Sequence, residues 1–251
     1  MTVWKDTIIR RFDAAAGTYD GVAGTQNLIA AGLARRILAL PLAGQPDVLE
    51  IGCGTGALTA ILGPLLPGCR WLATDIAPAM VAACARRALP GVTPRVMDGE
   101  CPDLAEASFD LIVSNMAVQW FDDLPAGLTR LHRLLKPGGM LAVTTLGAGT
   151  FAEWRTVCHE AGVEPGTPAY LSAGELAAAL PESCVAGEAC PLDCGNLKGF
   201  LDHLRLTGAR AAHPGHPGLS PGVLKRMLRA QDATPFSATY DVLTVLWKKE
   251  T

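Results

Sequence analysis

A doubly wound α/β fold is what the sequence predicts, and three observations carry that expectation. First, a short apolar strand runs straight into a glycine-rich turn and an apolar helix, DVLEIGCGTG followed by ALTAILGPLL over residues 47–66. Second, strand-like and helix-like stretches alternate from there to residue 146. Third, the strands are short with nearly continuous apolar faces, as in a parallel sheet covered by helices on both sides. Right-handed crossovers then leave a doubly wound sheet as the natural topology.

The elements follow in chain order. Residues 5–16, KDTIIRRFDAAA, read as a helix that closes at Gly17. A second helix is expected from Thr25 to Leu40, with Leu28, Ile29, Leu33, Ile37 and Leu38 at helical spacing, and it stops at Pro41. These two precede the first strand, so residues 1–44 read as an N-terminal helical extension to a ligand-binding core over 45–147. Val48, Leu49 and Ile51 make the first strand, and Gly52, Gly54 and Gly56 let the backbone turn sharply and lie against a ligand. CRWLATDIAPAM supplies a strand ending at Asp75 and a helix through Ala88; TPRVM is a third strand ending at Asp98. FDLIVSNMAVQW supplies a fourth strand that ends near Ser114 and Asn115. A helix from Asp123 to Leu135 follows, and KPGG turns the chain into MLAVTTL, the fifth strand.

The C-terminal part, 148–251, is looser. Helices are expected over 151–162 and 172–180, a strand over 184–192, and a further helix in NLKGFLDHLRLTGARAA that breaks at Gly208. HPGHPGLSPG reads as a loop, VLKRMLRAQD as a helix and ATYDVLTVLW as the final strand. Residues 195–235 fall between the last two strands and read as a cap over the strand ends, within one domain spanning 1–251. There is no internal repeat.

Composition excludes several classes. A hydrophobic share of 49% with 18% charged residues describes a chain with a substantial core. A formal charge of −3 argues against a general nucleic-acid or membrane-surface binder. No apolar run reaches transmembrane length and MTVWKDTIIRR lacks a signal-peptide core, so a cytoplasmic location is expected. Of the eight cysteines, Cys184, Cys190 and Cys194 cluster without paired metal-ligand spacing, and free thiols with no metal are expected.

Glu50, Asp75 and Asp98 fall at or near the carboxyl ends of the first three strands, where their side chains can line one crevice. Asp75 lies about twenty residues past the glycine turn, a spacing at which a carboxylate accepts hydrogen bonds from ribose. A nicotinamide dinucleotide would also suit that spacing. The glycines, however, run GxGxG rather than GxGxxG, and Glu50 puts negative charge where a pyrophosphate would sit. A cationic ligand is the better match.

EIGCGTG, Asp75 and the turn Asp98-Gly99-Glu100 resemble the motifs of class I S-adenosylmethionine-dependent methyltransferases. That resemblance implies a seven-stranded sheet whose last strand runs antiparallel. It also implies that Glu50 and the loop of Gly52, Gly54 and Gly56 hold the methionine end of the cofactor, Asp75 the ribose, and Asp98 the adenine amino group with Gly99 beside the ring. Ile76, Ser114 and Asn115 join the implied cofactor set. Along nearly its whole length the chain is also similar to the malonyl-acyl carrier protein O-methyltransferases of biotin synthesis, through RRFDAAAGTYD, SNMAVQW, TLGAGTFAEW, FLDHLRLTGA and ATYDVL. The implied activity is methylation of the free carboxyl of a malonyl thioester, on acyl carrier protein or coenzyme A, which makes the ester that primes pimelate synthesis.

Three residues are the expected catalytic set. Arg205 occupies the basic position of LRLTGA and suits bidentate recognition of a carboxylate, against the alternative of an exposed helical arginine. Tyr19 is expected to donate to the acceptor or close over the cofactor, against the alternative of an aromatic packing a helix end. Gln119, beside Trp120, is expected to touch acceptor or cofactor. None of the five histidines is assigned to catalysis, His213 and His216 being placed in a solvated loop. Lys198, Arg205, Arg210, Lys225, Arg226 and Arg229 crowd the cap with Asp202 as their one acid, so the cap reads as a docking face for an acidic carrier protein or as a solvated helix surface. Rival readings are a methyltransferase for another small acid or a quinone-like carbon, a dinucleotide oxidoreductase, and a cofactor-sensing module without turnover.

Overall fold

A computed structural model describes residues 2–42, 44–209, 216, 218–231 and 234–250. Arg210 and His213 lie outside the described residues. The chain begins with α1 (Val3–Ala15), capped by the Thr2 hydroxyl, which accepts from the Lys5 amide, and α2 (Gly24–Leu38). The buried stripe of α2 is Ile29, Ala30, Leu33, Ala34 and Ile37; Leu28 and Leu38, expected on that face, are 75% and 43% exposed. Each lies about 100° around the helix from its buried neighbour, and two alanines complete the face in their place.

Alternation continues with β1 (Asp47–Ile51), α3 (Ala57–Leu62), β2 (Arg70–Asp75), α4 (Pro78–Arg86), β3 (Val92–Val96) and β4 (Phe109–Asn115). Next come α5 (Leu124–Arg133), β5 (Leu135–Leu146), α6 (Ala152–Glu160), α7 (Ala173–Ala179) and β6 (Cys184–Asp193). The last elements are α8 (Leu197–Leu206), α9 (Pro221–Ala230) and β7 (Ser237–Lys248). The seven strands form one sheet in the order β3-β2-β1-β4-β5-β7-β6, with β7 antiparallel to both neighbours. The expected sheet, including its antiparallel last strand, is therefore present. KPGG differs in detail: it bulges inside β5, which pairs with β4 at Leu135 and again from Met140, with Gly138 at φ +78° taking the left-handed bend.

Period-two alternation splits each central strand between two cores. Leu49, Ile51, Ile112 and Val143 pack under α5 and α7, whereas Val48, Leu111, Val113 and Ala142 pack under α2 and α3. A third apolar cluster joins α6, α8 and α9 to Ala238, Tyr240 and Val242 of β7. Strand order reverses between β1 and β4, and open α/β sheets bind ligands in the crevice outside that reversal.

Candidate active site

At the carboxyl ends of β1, β2 and β4 lies a pocket whose walls come from the glycine turn, Asp75 and Ile76, Asp98 and Gly99, and the loop Asn115–Ala117, with Tyr19 and α1 closing it. The turn is built for close approach. Gly52 (φ +67°) has no room for a Cβ, which would come within 2.1 Å of the Ala117 Cβ. Gly54 (φ +54°) faces open space on the pocket side. At Gly99 a Cβ would meet Ile51 at 2.3 Å. Gly56 (φ +87°) starts α3 and stands behind the pocket wall, against Cys84 and Arg87.

Asp75 is held by backbone: Gly54 N–H donates to Oδ2 at 2.9 Å and Ala77 N–H to Oδ1 at 2.8 Å. Burial outweighs these bonds and pushes its carboxyl up to about 6, with Asp13 adding to the rise. Each of its oxygens keeps acceptor capacity for hydroxyl groups of a ligand. This excess of buried negative charge suits a ligand that brings hydroxyl donors or positive charge.

Glu50 does not face the pocket. On β1 it points the same way as Val48, toward α3, where Thr59 Oγ1 donates to it at 2.5 Å and Trp71 Nε1 at 2.9 Å. It is 1% exposed, and burial pushes its carboxyl up to about 8, so at neutral pH it is largely protonated. The expectation that it lines the crevice fails because residues alternate across a strand; its place is beneath the glycine turn.

Tyr19 lines the pocket from a turn tied to the glycine loop. Asp20 accepts from Thr55 Oγ1 at 2.5 Å and pairs with Arg87 at 3.1 Å. Burial, with the charges of Asp75 and Asp20 behind it, raises the Tyr19 pKa and keeps the phenol protonated. Asn115 also lines the pocket, but its side chain is committed: Nδ2 donates to Gln26 O at 3.2 Å and Oδ1 accepts from Thr144 Oγ1 at 3.0 Å. Ser114 alternates inward and is fully buried without a hydrogen-bond partner in the structure. Gln119 folds back on its own loop, donating to Met116 O at 2.7 Å, and stands outside the pocket wall.

Arg205 stands apart. It lies five positions past the buried Phe200 on α8, about 140° around the helix, with its side chain 62% exposed and 3.8 Å from Asp202. It lines a second, outer cleft of about 980 Å³ between α1, α8 and α9, walled by apolar Leu201, Leu204, Leu224 and Leu228, with Arg11 and Lys198 on its rim.

Several pocket residues escape the motif reading. Lys5, Ile8 and Phe12 reach in from α1, and Met80, Met97 and Met116 add apolar wall. Lys5 Nζ donates to Asp98 Oδ2 at 2.6 Å and lies 2.7 Å from Glu100 Oε2. Burial alone would lower the lysine's pKa; the hydrogen bonds to Asp98 and Glu100 together with the charges of those two carboxylates outweigh it and raise it. Trp120 sits between Trp4 and Phe12, at centroid distances of 6.1 and 5.8 Å, and clasps α1 over the pocket. The one signal for this face was the spacing of Lys5, Ile8 and Phe12 at i, i+3 and i+7. Met116, at φ +54°, takes a backbone conformation uncommon for a side chain of its size, at a loop that lines the pocket. Among the described residues no group of acidic, cysteine and histidine side chains is arranged to hold a metal ion.

Residues 49–141 match a family described as a methyltransferase domain. The chain is 42% identical over 234 residues to the malonyl-acyl-carrier-protein O-methyltransferase of Magnetococcus marinus, covering 90% of this chain and 86% of that one. It is 41% identical over 244 residues to the biotin biosynthesis bifunctional protein BioCD of Bordetella avium; this covers 97% of this chain but 52% of that protein, so the chain spans about half its length. Among solved structures, YcgJ of Bacillus subtilis superposes with TM-score 0.64 at 14% identity, over 88% of this chain and 99% of that one. Phosphoethanolamine N-methyltransferase 2 of Haemonchus contortus, in complex with S-adenosyl-L-methionine, superposes with TM-score 0.60 at 18% identity, over 100% of this chain and 61% of that one.

Proposed function

The chain belongs to the malonyl-acyl-carrier-protein O-methyltransferases, and from that premise we propose that it moves a methyl group from S-adenosylmethionine to the free carboxylate of a malonyl thioester carried by acyl carrier protein or coenzyme A. The product is the methyl ester that primes pimelate synthesis for biotin, made in the cytoplasm. What carries this reading is the 42% identity to the Magnetococcus marinus protein over 86% of its length, since the donor pocket alone would fit many acceptors. Among the described residues no helix is long and apolar enough to cross a membrane.

The pocket fits the cofactor. The cradle of Gly52 and Gly54 would take the methionine end, Asp75 beside Ile76 the ribose, and Asp98 with Gly99 the adenine. S-adenosylmethionine supplies an electrophilic methyl on a cationic sulfur. The protein's work is placement and shielding. A carboxylate with pKa near ~4 is already ionised at neutral pH, so no side chain need act as a general base. Alignment of acceptor with donor is worth roughly 7–11 kcal/mol when the geometry is held. Opposite charges cancel during transfer, so excluding water helps, and α1 with its Trp4–Trp120–Phe12 clasp provides the cover. Arg205, on the rim of the outer cleft, is suited to guide the anionic acceptor inward.

Labelled S-adenosylmethionine with malonyl-, acetyl- and succinyl-carrier protein tests the assignment. Label should pass to the malonyl thioester as an alkali-labile ester and not to the acetyl thioester. Transfer confined to a different acid, or to carbon, would overturn it.

A further inference from the structure

The chain has three tyrosines, Tyr19, Tyr170 and Tyr240. Tyr19 lines the donor pocket and Tyr170 the outer cleft; Tyr240, 2% exposed, stands in the partition between them, its ring 4.8 Å from Phe151 of the cleft and its hydroxyl bonded to Gln26, whose backbone carbonyl accepts from Asn115 of the donor-pocket wall. An acceptor that enters through the cleft and reacts in the pocket must cross this partition.

The partition is polar in a particular way. Tyr240 OH lies 3.1 Å from His203 Nε2 and accepts from Gln26 Nε2 at 3.4 Å. Burial raises the Tyr240 pKa and lowers that of His203, so phenol and imidazole are both neutral. With His203 as the Nε2–H tautomer, the phenolic oxygen receives two N–H donors and its own hydrogen is left for a third party. Gln26 is 8% exposed, and its Oε1 is buried without a hydrogen-bond partner in the structure. Its backbone carbonyl meanwhile accepts from Asn115 on the donor-pocket wall. The phenol hydrogen thus lacks an acceptor, and Gln26 Oε1 separately lacks a donor.

Resting on the function proposed above, we propose that Tyr240 is an acceptor-binding residue: with Tyr19 it donates a hydroxyl hydrogen to the malonyl carboxylate at this partition, while His203 and Gln26 position the Tyr240 oxygen. Neutral donors suit this reaction better than a buried guanidinium. They orient an anionic oxygen and fix its register without a full opposing charge, which would favour the ionised ground state over a transition state where charge is vanishing. Arg205, exposed in the cleft, then contributes to approach, and the last contact before transfer belongs to the phenols.

The test uses the intact chain with Tyr240→Phe, His203→Leu and His203→Gln, each measured for S-adenosylmethionine affinity by calorimetry and for methyl transfer to malonyl-carrier protein. Tyr240→Phe keeps the ring that packs on Phe151, so its fold should survive. Its KM for the malonyl thioester should rise roughly ten- to a hundredfold, the range for losing a hydrogen bond to a charged group. Cofactor affinity should stay within about twofold. His203→Leu should raise KM by a smaller factor, and His203→Gln, which keeps an N–H donor, should recover part of it. Unchanged KM in Tyr240→Phe, or equal losses for acceptor and cofactor, overturns the inference. Should Tyr240→Phe not fold, the same KM readout on the two His203 variants decides. Wild-type turnover with no effect of any variant sinks this inference alone; a wild-type protein inert toward malonyl thioesters sinks the functional assignment too.

Discussion

Asp75 carries the donor pocket's charge problem in a single side chain. Two backbone N–H groups hold it, and burial still pushes its carboxyl up to about 6. The sign follows directly. Its folded pKa lies above the unfolded value, so its favourable contribution to the ligand-free fold is present at low pH and is lost as pH rises through about 6. Ribose hydroxyls and a sulfonium favour the ionised form, so binding expels a proton and affinity should grow with pH until Asp75 is ionised. Calorimetry should find S-adenosylmethionine bound about tenfold more weakly near pH 5 than near pH 7.5, with Asp75→Asn flattening the profile. A flat wild-type profile would mean that Asp75 does not meet the ligand. Glu50 offers the contrast: equally acidic in sequence, it is hydrogen-bonded beneath the turn and has no such pocket role.

Among the elements, α1 decides whether the site is open or shielded. Its grip depends on Lys5 reaching Asp98 and Glu100 and on the Trp120 clasp. Glu100 is 3% exposed and also accepts from the Asp122 and Asp123 amides, so it keeps part of its solvation without the lysine. Lys5→Met should therefore cost about 3 kcal/mol, the low end for removing one member of a buried ion pair. Hydrogen exchange should place the loss in α1, with the amides of β1 and β4 still protected. Equal loss of protection throughout, or none in α1, would refute the tether. This element was legible as a helix from KDTIIRRFDAAA, but not as a pocket wall, because helical spacing names a buried face without naming what covers it. The glycine turn was legible as a turn facing a ligand crevice, and Gly52 and Gly54 line the pocket while Gly56 stands behind it.

For the molecule as a whole, charge is unevenly spread. Lys225, Arg226 and Arg229 are exposed on α9, while Lys198 and Arg205 on α8 share Asp202, at 2.5 and 3.8 Å. An acidic carrier protein would be steered to α9 rather than to the compensated α8. Reversing Lys225 and Arg226 to Glu should slow transfer to malonyl-carrier protein about tenfold at low salt and spare malonyl-coenzyme A. Equal slowing of both substrates would move the docking face elsewhere.

By itself the sequence determined the order of strands and helices, the glycine cradle and the acids at the strand ends, and through its resemblance the antiparallel seventh strand. All of these depend on local chemistry or on motifs written in consecutive residues. Tertiary structure alone decided that Glu50 turns away from the crevice, that Arg205 stands at an outer cleft, that Lys5 reaches Asp98, and that Gln26, His203 and Tyr240 meet one another. Side-chain direction depends on strand alternation and helix rotation about neighbours far along the chain. Tyr240 and Gln26, separated by 214 positions, become partners only once β7 has inserted beside β5.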